Sequence, residues 1–154
     1  MKIKTVRLKM VVEDVVDYDV NVDGPNDPRK AAIVAQQFLA GKPRENFIVL
    51  LLDSKINVVG IETVHIGTIN ASLVSPSDVY KAALISNAAS VICAHNHPSG
   101  DVQPSVHDKR ITINIISAGE LLGIPCNDHI ITGDNNYYSF RESIPELWEK
   151  GGKK

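Results

Sequence analysis

Ala88-Ala89-Ser90-Val91-Ile92-Cys93-Ala94-His95-Asn96-His97-Pro98-Ser99-Gly100-Asp101 is an apolar run that ends in polar residues and turn formers. The run from Ala88 to Ala94 is short and uninterrupted, the pattern of a strand buried on both faces. Residues two apart on a strand point to the same side, so His95 and His97 aim two imidazoles into one space. Pro98, Ser99 and Gly100 break the strand. Ser105-Val106-His107-Asp108 then opens a helix with a Ser-x-x-acid box, ahead of the periodic Ile111, Ile115, Ala118 and Leu122. Ser105 and Asp108 share a helix face. Strand end, loop and helix start thus bring two imidazoles, a carboxylate and a hydroxyl towards one point. Three N/O ligands with a fourth position left for water suit a catalytic zinc, here His95, His97 and Asp108. Taken separately, a His-x-His pair and a Ser-x-x-Asp cap are more often ordinary surface and capping features.

Outward from this stretch, residues 27–41 read as a helix. Asp27 is its cap, Pro28 its first position, and Gly41-Lys42-Pro43 its stop. Residues 47–52 form an apolar strand, Asp53 to Asn57 a turn, and residues 58–66 the return strand of a hairpin. Ser75-Pro76-Ser77-Asp78 opens a further helix. After the helix from Ser105, Gly123 is a cap, and residues 124–132 and 137–140 read as strands. Near the start, residues 3–12 are β-like and 18–22 suggest a second short strand. This order predicts an α/β fold, a mixed sheet sandwiched by helices. Residues 1–26 are expected as a β-rich extension packed on a domain spanning 27–148, with 149–154 a flexible tail.

The spacing His95-x-His97, seven residues, Ser105-x-x-Asp108 resembles the JAMM motif of the JAB/MPN metalloproteases. The strings HNHPSGD, GTINASLVSP and LLGIPCNDHIITGD are similar to the RadC-like branch, from about Asp27 to Leu147. The resemblance implies a cytidine-deaminase-like architecture, a Zn²⁺ cofactor, and hydrolysis of a peptide or isopeptide bond. It also implies a general base, a glutamate before the strand that follows the first helix. Glu45 occupies that place, and Glu62 in the return strand is its rival. Ser105 is expected to stabilise the oxyanion, not to act as the nucleophile, because both histidines beside it are committed to metal. The helix-hairpin-helix region that family members often carry has no counterpart in this sequence, which reads as the catalytic-type domain alone.

Other polar residues admit two readings each. His129 is either a hydrogen-bonding partner near the site or a satisfied histidine at a sheet edge. Asp101 either lines a groove or makes a turn. Asn96 should face away from the metal, His107 points elsewhere, His65 faces solvent, and Thr68 and Asn70 shape a loop.

Composition narrows the function classes. The 154 residues suffice for one domain with a real core, and 44% hydrophobic with 22% charged residues is ordinary for a globular chain. No apolar stretch approaches the ~20 residues of a membrane span, and no signal peptide is visible. Cys93 and Cys126 lie in apolar runs and read as reduced thiols of a cytoplasmic protein. A net charge of −2 argues against broad nucleic-acid binding. The basic cluster Lys2, Lys4, Arg7 and Lys9 reads as a solvated strand face. Three functions stay open: a zinc hydrolase with a peptide or protein substrate, a DNA-associated protein as the repair label of the RadC-like branch suggests, and a zinc-stabilised binding module without catalysis.

Overall fold

The computed structural model describes residues 1–16, 28–69 and 73–149. Five strands form one mixed sheet in the order β2-β1-β3-β4-β5. They are β1 (Asn46–Leu52), β2 (Val58–Ile66), β3 (Ser90–Asn96), β4 (Cys126–Thr132) and β5 (Tyr137–Ser139). Helices α1 (Pro28–Leu39), α2 (Pro76–Ile85) and α3 (Val106–Leu122) cover it, and short helices α4 (Phe140–Ser143) and α5 (Glu146–Glu149) follow β5.

The unbroken apolar strands are explained by burial on both faces. Alternate residues Phe47, Val49, Leu51, Val91 and Cys93 pack against Val79, Tyr80 and Ala83 of α2 and Ile111, Ile115 and Ile116 of α3. The intervening Ile48, Leu50, Leu52, Ile92, Ala94 and Ile130 pack against Ala31, Ala32, Val34, Ala35 and Leu39 of α1. Helices on both faces make this the expected α/β sandwich. β1 pairs antiparallel with β2 and β3, whereas β3 and β4 run parallel. A parallel pair needs a crossover, which α3 supplies. That crossover sets the end of β3 beside the N-terminus of α3.

The capping chemistry read at α3 is realised. Ser105 and Asp108 form a reciprocal capping box, and Gly123 closes the helix in the left-handed region at φ 70. Ser75 caps α2 in the same way, accepting from the Asp78 N–H.

Three expectations differ from what forms. Residues 1–16 carry neither helix nor strand and are exposed throughout, so the β-like pattern of 3–12 is not realised. Alternation of Ile3, Val6, Leu8 and Met10 with charged residues makes a chain able to pair, but a strand exists only where a partner strand lies beside it. Ile124 and Pro125 precede β4, and Phe140 begins α4 because the Ser139 side chain accepts from the Glu142 N–H and caps it. Residues 18–22, the Asp27 cap, Asn70 and the tail beyond Glu149 lie outside the described residues. Among the described residues, no helix is long and apolar enough to cross a membrane. Cys93 and Cys126 are both buried and free.

Candidate metal centre

The site is built where β3 ends. His95 is the penultimate residue of β3 and is fully buried. Pairing continues one step past the strand, where the His97 N–H donates to the Thr132 carbonyl at 3.2 Å. His97 therefore stays on the same side as His95. The chain then turns, closed by the Gly100 N–H on the His97 carbonyl at 2.9 Å, with Gly100 at φ 79, where a side chain would be strained. Residues 101–105 return it to the N-terminus of α3, whose first turn presents Asp108.

His95 Nε2 lies 3.1 Å from His97 Nε2 and 3.4 Å from Asp108 Oδ1, and His97 Nε2 lies 3.8 Å from Asp108 Oδ2. Donors placed tetrahedrally around one ion at about 2.0–2.2 Å sit about 3.3–3.6 Å apart. The three side chains offer one donor atom each within 4.8 Å of one another, and together they could hold a metal ion.

Protonation supports that reading. Burial pushes the His95 imidazolium down to about 4; Asp108 opposes that shift and His97 adds to it. His95 is thus neutral near pH 7, and its contact with Asp108 is not an ion pair. His97 Nδ1 sits 2.6 Å from the Asp101 carbonyl, which can only accept, so Nδ1 carries a proton, and in the neutral ring Nε2 is the nitrogen with the lone pair. Asp108 Oδ2 accepts from the Ser105 N–H at 2.7 Å and the Ser105 hydroxyl at 2.6 Å. The carboxylate is held by its own capping box, with Oδ1 towards His95.

The remaining expected residues fall as follows. Glu45 is half-buried just ahead of β1. Phe47 pairs with His95, and their rings stack at 5.9 Å. Glu45 lies two residues ahead of Phe47, and His97 two residues beyond His95. Glu45 Oε2 accepts the Ile69 N–H at 2.8 Å, and its carbonyl accepts the Gly67 N–H at 2.8 Å. Glu62 pairs with Val49 in the interior of β2 and is exposed. His107 is exposed, as expected. His65 is only half-exposed, with Nε2 3.3 Å from the Thr68 carbonyl. Asp101 makes a turn, its Oδ1 accepting the Gln103 N–H at 3.0 Å, while its carbonyl orients His97.

Two residues gain roles that sequence reasoning did not assign. Asn96 faces away from the histidines, as expected, but is not idle. Its Oδ1 accepts the Asn46 N–H at 2.8 Å, and its Nδ2 donates to the carbonyls of Arg44 at 3.0 Å and Lys42 at 3.4 Å. The segment carrying Glu45 is thereby tied to the strand carrying the histidines. Thr112, one turn beyond Asp108, reaches His129, which in turn reaches His95. Of its two readings, His129 takes the one near the site: it is buried in the interior of β4. Asp128 anchors that strand, accepting the N–H groups of His129 and Arg141 and the Ser139 hydroxyl. Burial raises its carboxyl to about 6, against those hydrogen bonds.

A mixed sheet between helices, with a strand-end His-x-His facing a helix-start aspartate, defines a JAB-type α/β domain with a site able to hold a metal ion. Residues 25–145 match the RadC-like JAB domain, and the chain belongs to that family. It is 44% identical over 117 residues to a UPF0758 protein of Shouchella clausii, covering 76% of this chain and 51% of that one. It is 48% identical over 99 residues to UPF0758 proteins of Chlorobaculum tepidum and Methanosarcina acetivorans, covering 64% of this chain and 45% and 43% of theirs. The chain spans about half the length of the curated relatives it matches.

Proposed function

We propose that this domain is a zinc-dependent hydrolase that cleaves a peptide or isopeptide bond in a peptide or protein substrate. The observation that carries the reading is the convergence of His95 Nε2, His97 Nε2 and the Asp108 carboxylate, two imidazole nitrogens and a carboxylate facing one point. Two imidazoles and one carboxylate leave a coordination position open, the arrangement of catalytic and not structural zinc. When bound, the ion supplies Lewis acidity, lowering the pKa of water and polarising a carbonyl.

Glu45 supplies the base. The Ile69 N–H holds Oε2, and Oε1 would take a proton from the attacking water and deliver it to the leaving amine. Its place two residues ahead of Phe47, the residue paired with His95, supports this role over Glu62, which is exposed in the strand interior. Ser105 is exposed, and its hydroxyl proton is engaged by Asp108. To stabilise the oxyanion it turns from the carboxylate to the substrate oxygen, leaving the Ser105 N–H to hold Oδ2.

The non-catalytic module has one observation in its favour. Glu45 also ties down residues 67–69, a sufficient structural reason for a glutamate there. Glu45→Gln separates the readings, because a glutamine carbonyl still accepts the Ile69 N–H but cannot take the proton. The hydrolase reading expects zinc retained and turnover of a peptide or isopeptide library lost. Equal turnover in both proteins, or turnover lost only in Glu62→Gln, rejects Glu45 as base. A DNA-associated role draws no support from the net charge of −2; salt-dependent DNA binding by the purified chain would restore it.

A further inference from the structure

We propose that Thr112 and His129 fix the tautomer of His95, so that its ring proton sits on Nδ1 and its Nε2 faces the metal position bare. The Asp108 backbone carbonyl can only accept, and Thr112 Oγ1 lies 2.7 Å from it. Two oxygens at that separation need a proton between them, and only the threonine hydroxyl has one. With that proton committed, Oγ1 can only accept from His129 Nδ1, 2.6 Å away. A neutral His129 with its proton on Nδ1 has a bare Nε2. That nitrogen lies 2.9 Å from His95 Nδ1, which must therefore carry the proton of the His95 ring. Nothing is left on His95 Nε2 but its lone pair.

The opposite chain of donors fails at its first link. If Thr112 donated to His129 Nδ1, two oxygens would face each other at 2.7 Å without a proton, and His95 would hold its proton on Nε2, where a cation must bind.

The relay is held in place on all sides. His129 stacks on Phe140 at 4.9 Å and 10° and meets Phe47 at 5.2 Å, so its ring cannot turn freely. Thr112 is one helical turn from Asp108, hence the relay links two members of the metal-holding set, Asp108 and His95, through the interior. His97 obtains the same tautomer independently, from the Asp101 carbonyl. Two bare nitrogens 3.1 Å apart repel each other, and a cation removes that repulsion. Thr112 and His129 are positioning residues; neither is placed among the ligands. Partners of this kind typically contribute 10–100-fold to metal affinity.

The inference rests on the metal-binding reading, and the test separates the two. Long-range ¹H–¹⁵N spectra of the metal-free chain report which nitrogen of each histidine bears the proton, whether or not metal binds. Zinc affinity is measured in parallel by competition with a chromophoric chelator, for wild type, Thr112→Val and Thr112→Ser. The expected result is Nδ1–H on His95 and His129 in wild type. Thr112→Val then mixes the tautomers of both rings and weakens zinc about 10–100-fold, while Thr112→Ser, which keeps the hydroxyl, restores both. A wild-type spectrum with the His95 proton on Nε2 overturns the proposal, even if Thr112→Val does not fold. So does a Thr112→Val protein with wild-type zinc affinity and an unchanged spectrum. Nδ1–H on both rings with no zinc bound by wild type keeps the relay and rejects the metal site.

Discussion

The side-chain amide of Asn96 accepts the backbone N–H of Asn46 at 2.8 Å, from a position between the two histidines of the site. Because Nδ2 of the same amide donates to the Arg44 carbonyl, one buried side chain holds the backbone on both sides of Glu45. The segment carrying the proposed base is thus tied to the strand carrying the candidate ligands by a residue that is neither.

Asn96→Ala is expected to leave zinc affinity unchanged and to lower turnover, because the ligands stay on β3 while the Glu45 segment is released. Unpairing these buried backbone groups should also cost about 1–3 kcal/mol. Urea unfolding, chelator competition and kcat measured on one preparation check all three. Reduced zinc affinity with intact turnover would contradict this division of roles.

His95→Ala and Asp108→Ala should each lose zinc, yet the apo chain should still unfold cooperatively. The sheet is buried on both faces by apolar side chains, of which Phe47 stacks on His95, so the core does not depend on an ion as a zinc finger does. Thermal scans with and without chelator test this. Loss of a cooperative transition on chelation would mark the site as structural.

Ser105→Ala should act on two levels. It removes the α3 cap, which costs about 1 kcal/mol, and one of the two donors on Asp108 Oδ2. Zinc affinity should fall several-fold while kcat falls by roughly 10²–10³. Stability and metal content indistinguishable from wild type would show that the hydroxyl does not hold Asp108.

Acid should destabilise the metal-free protein through the buried histidines. Burial holds the native His95 at about 4 and drives His129 well below its ordinary value, whereas in the unfolded chain both titrate near 6.5. Below pH 6.5 the unfolded chain takes up protons that the native rings refuse, so stability is fully present above 6.5 and is lost as pH falls towards 4. For His95 the loss is on the order of 3 kcal/mol. Asp128 works in the opposite sense: its native carboxyl is raised to about 6, so its contribution diminishes as pH rises from 3.8 to 6. Denaturant unfolding at pH 7 and 4.5, in chelator, should show a smaller acid loss in His129→Phe than in wild type. A loss as large in His129→Phe would assign the acid sensitivity elsewhere.

What could be read from sequence divides by distance along the chain. His95, His97 and Asp108 lie in one stretch where strand alternation and a helix cap follow from local rules. Uninterrupted apolar runs at β1 and β3 announced strands covered on both sides, and Gly123 marked the end of α3. Asn96 was legible only as a side chain facing away, because its task depends on pairing with a strand 50 positions earlier. His129 left two readings open until the parallel register of β3 and β4 set it opposite Cys93, two residues before His95, with its Nε2 2.9 Å from His95 Nδ1. Thr112 carried no reading of its own in the sequence. Its one signal was the four-residue step from Asp108. The pattern of residues 3–12 misled because alternation records a capacity to pair, while pairing needs a neighbour.

The seam between β1 and β3 divides the site's heritable units as well as its side chains. Every residue of the candidate metal set comes from positions 95–108, and the proposed base lies just ahead of the neighbouring strand β1. On the proposed mechanism, a single codon change at position 45 would remove the base and leave residues 95–108 untouched. A survey that sorts chains of this shape by that stretch alone would then count candidate metal holders. One that also reads the residue ahead of β1 would pick out those that keep the proposed base.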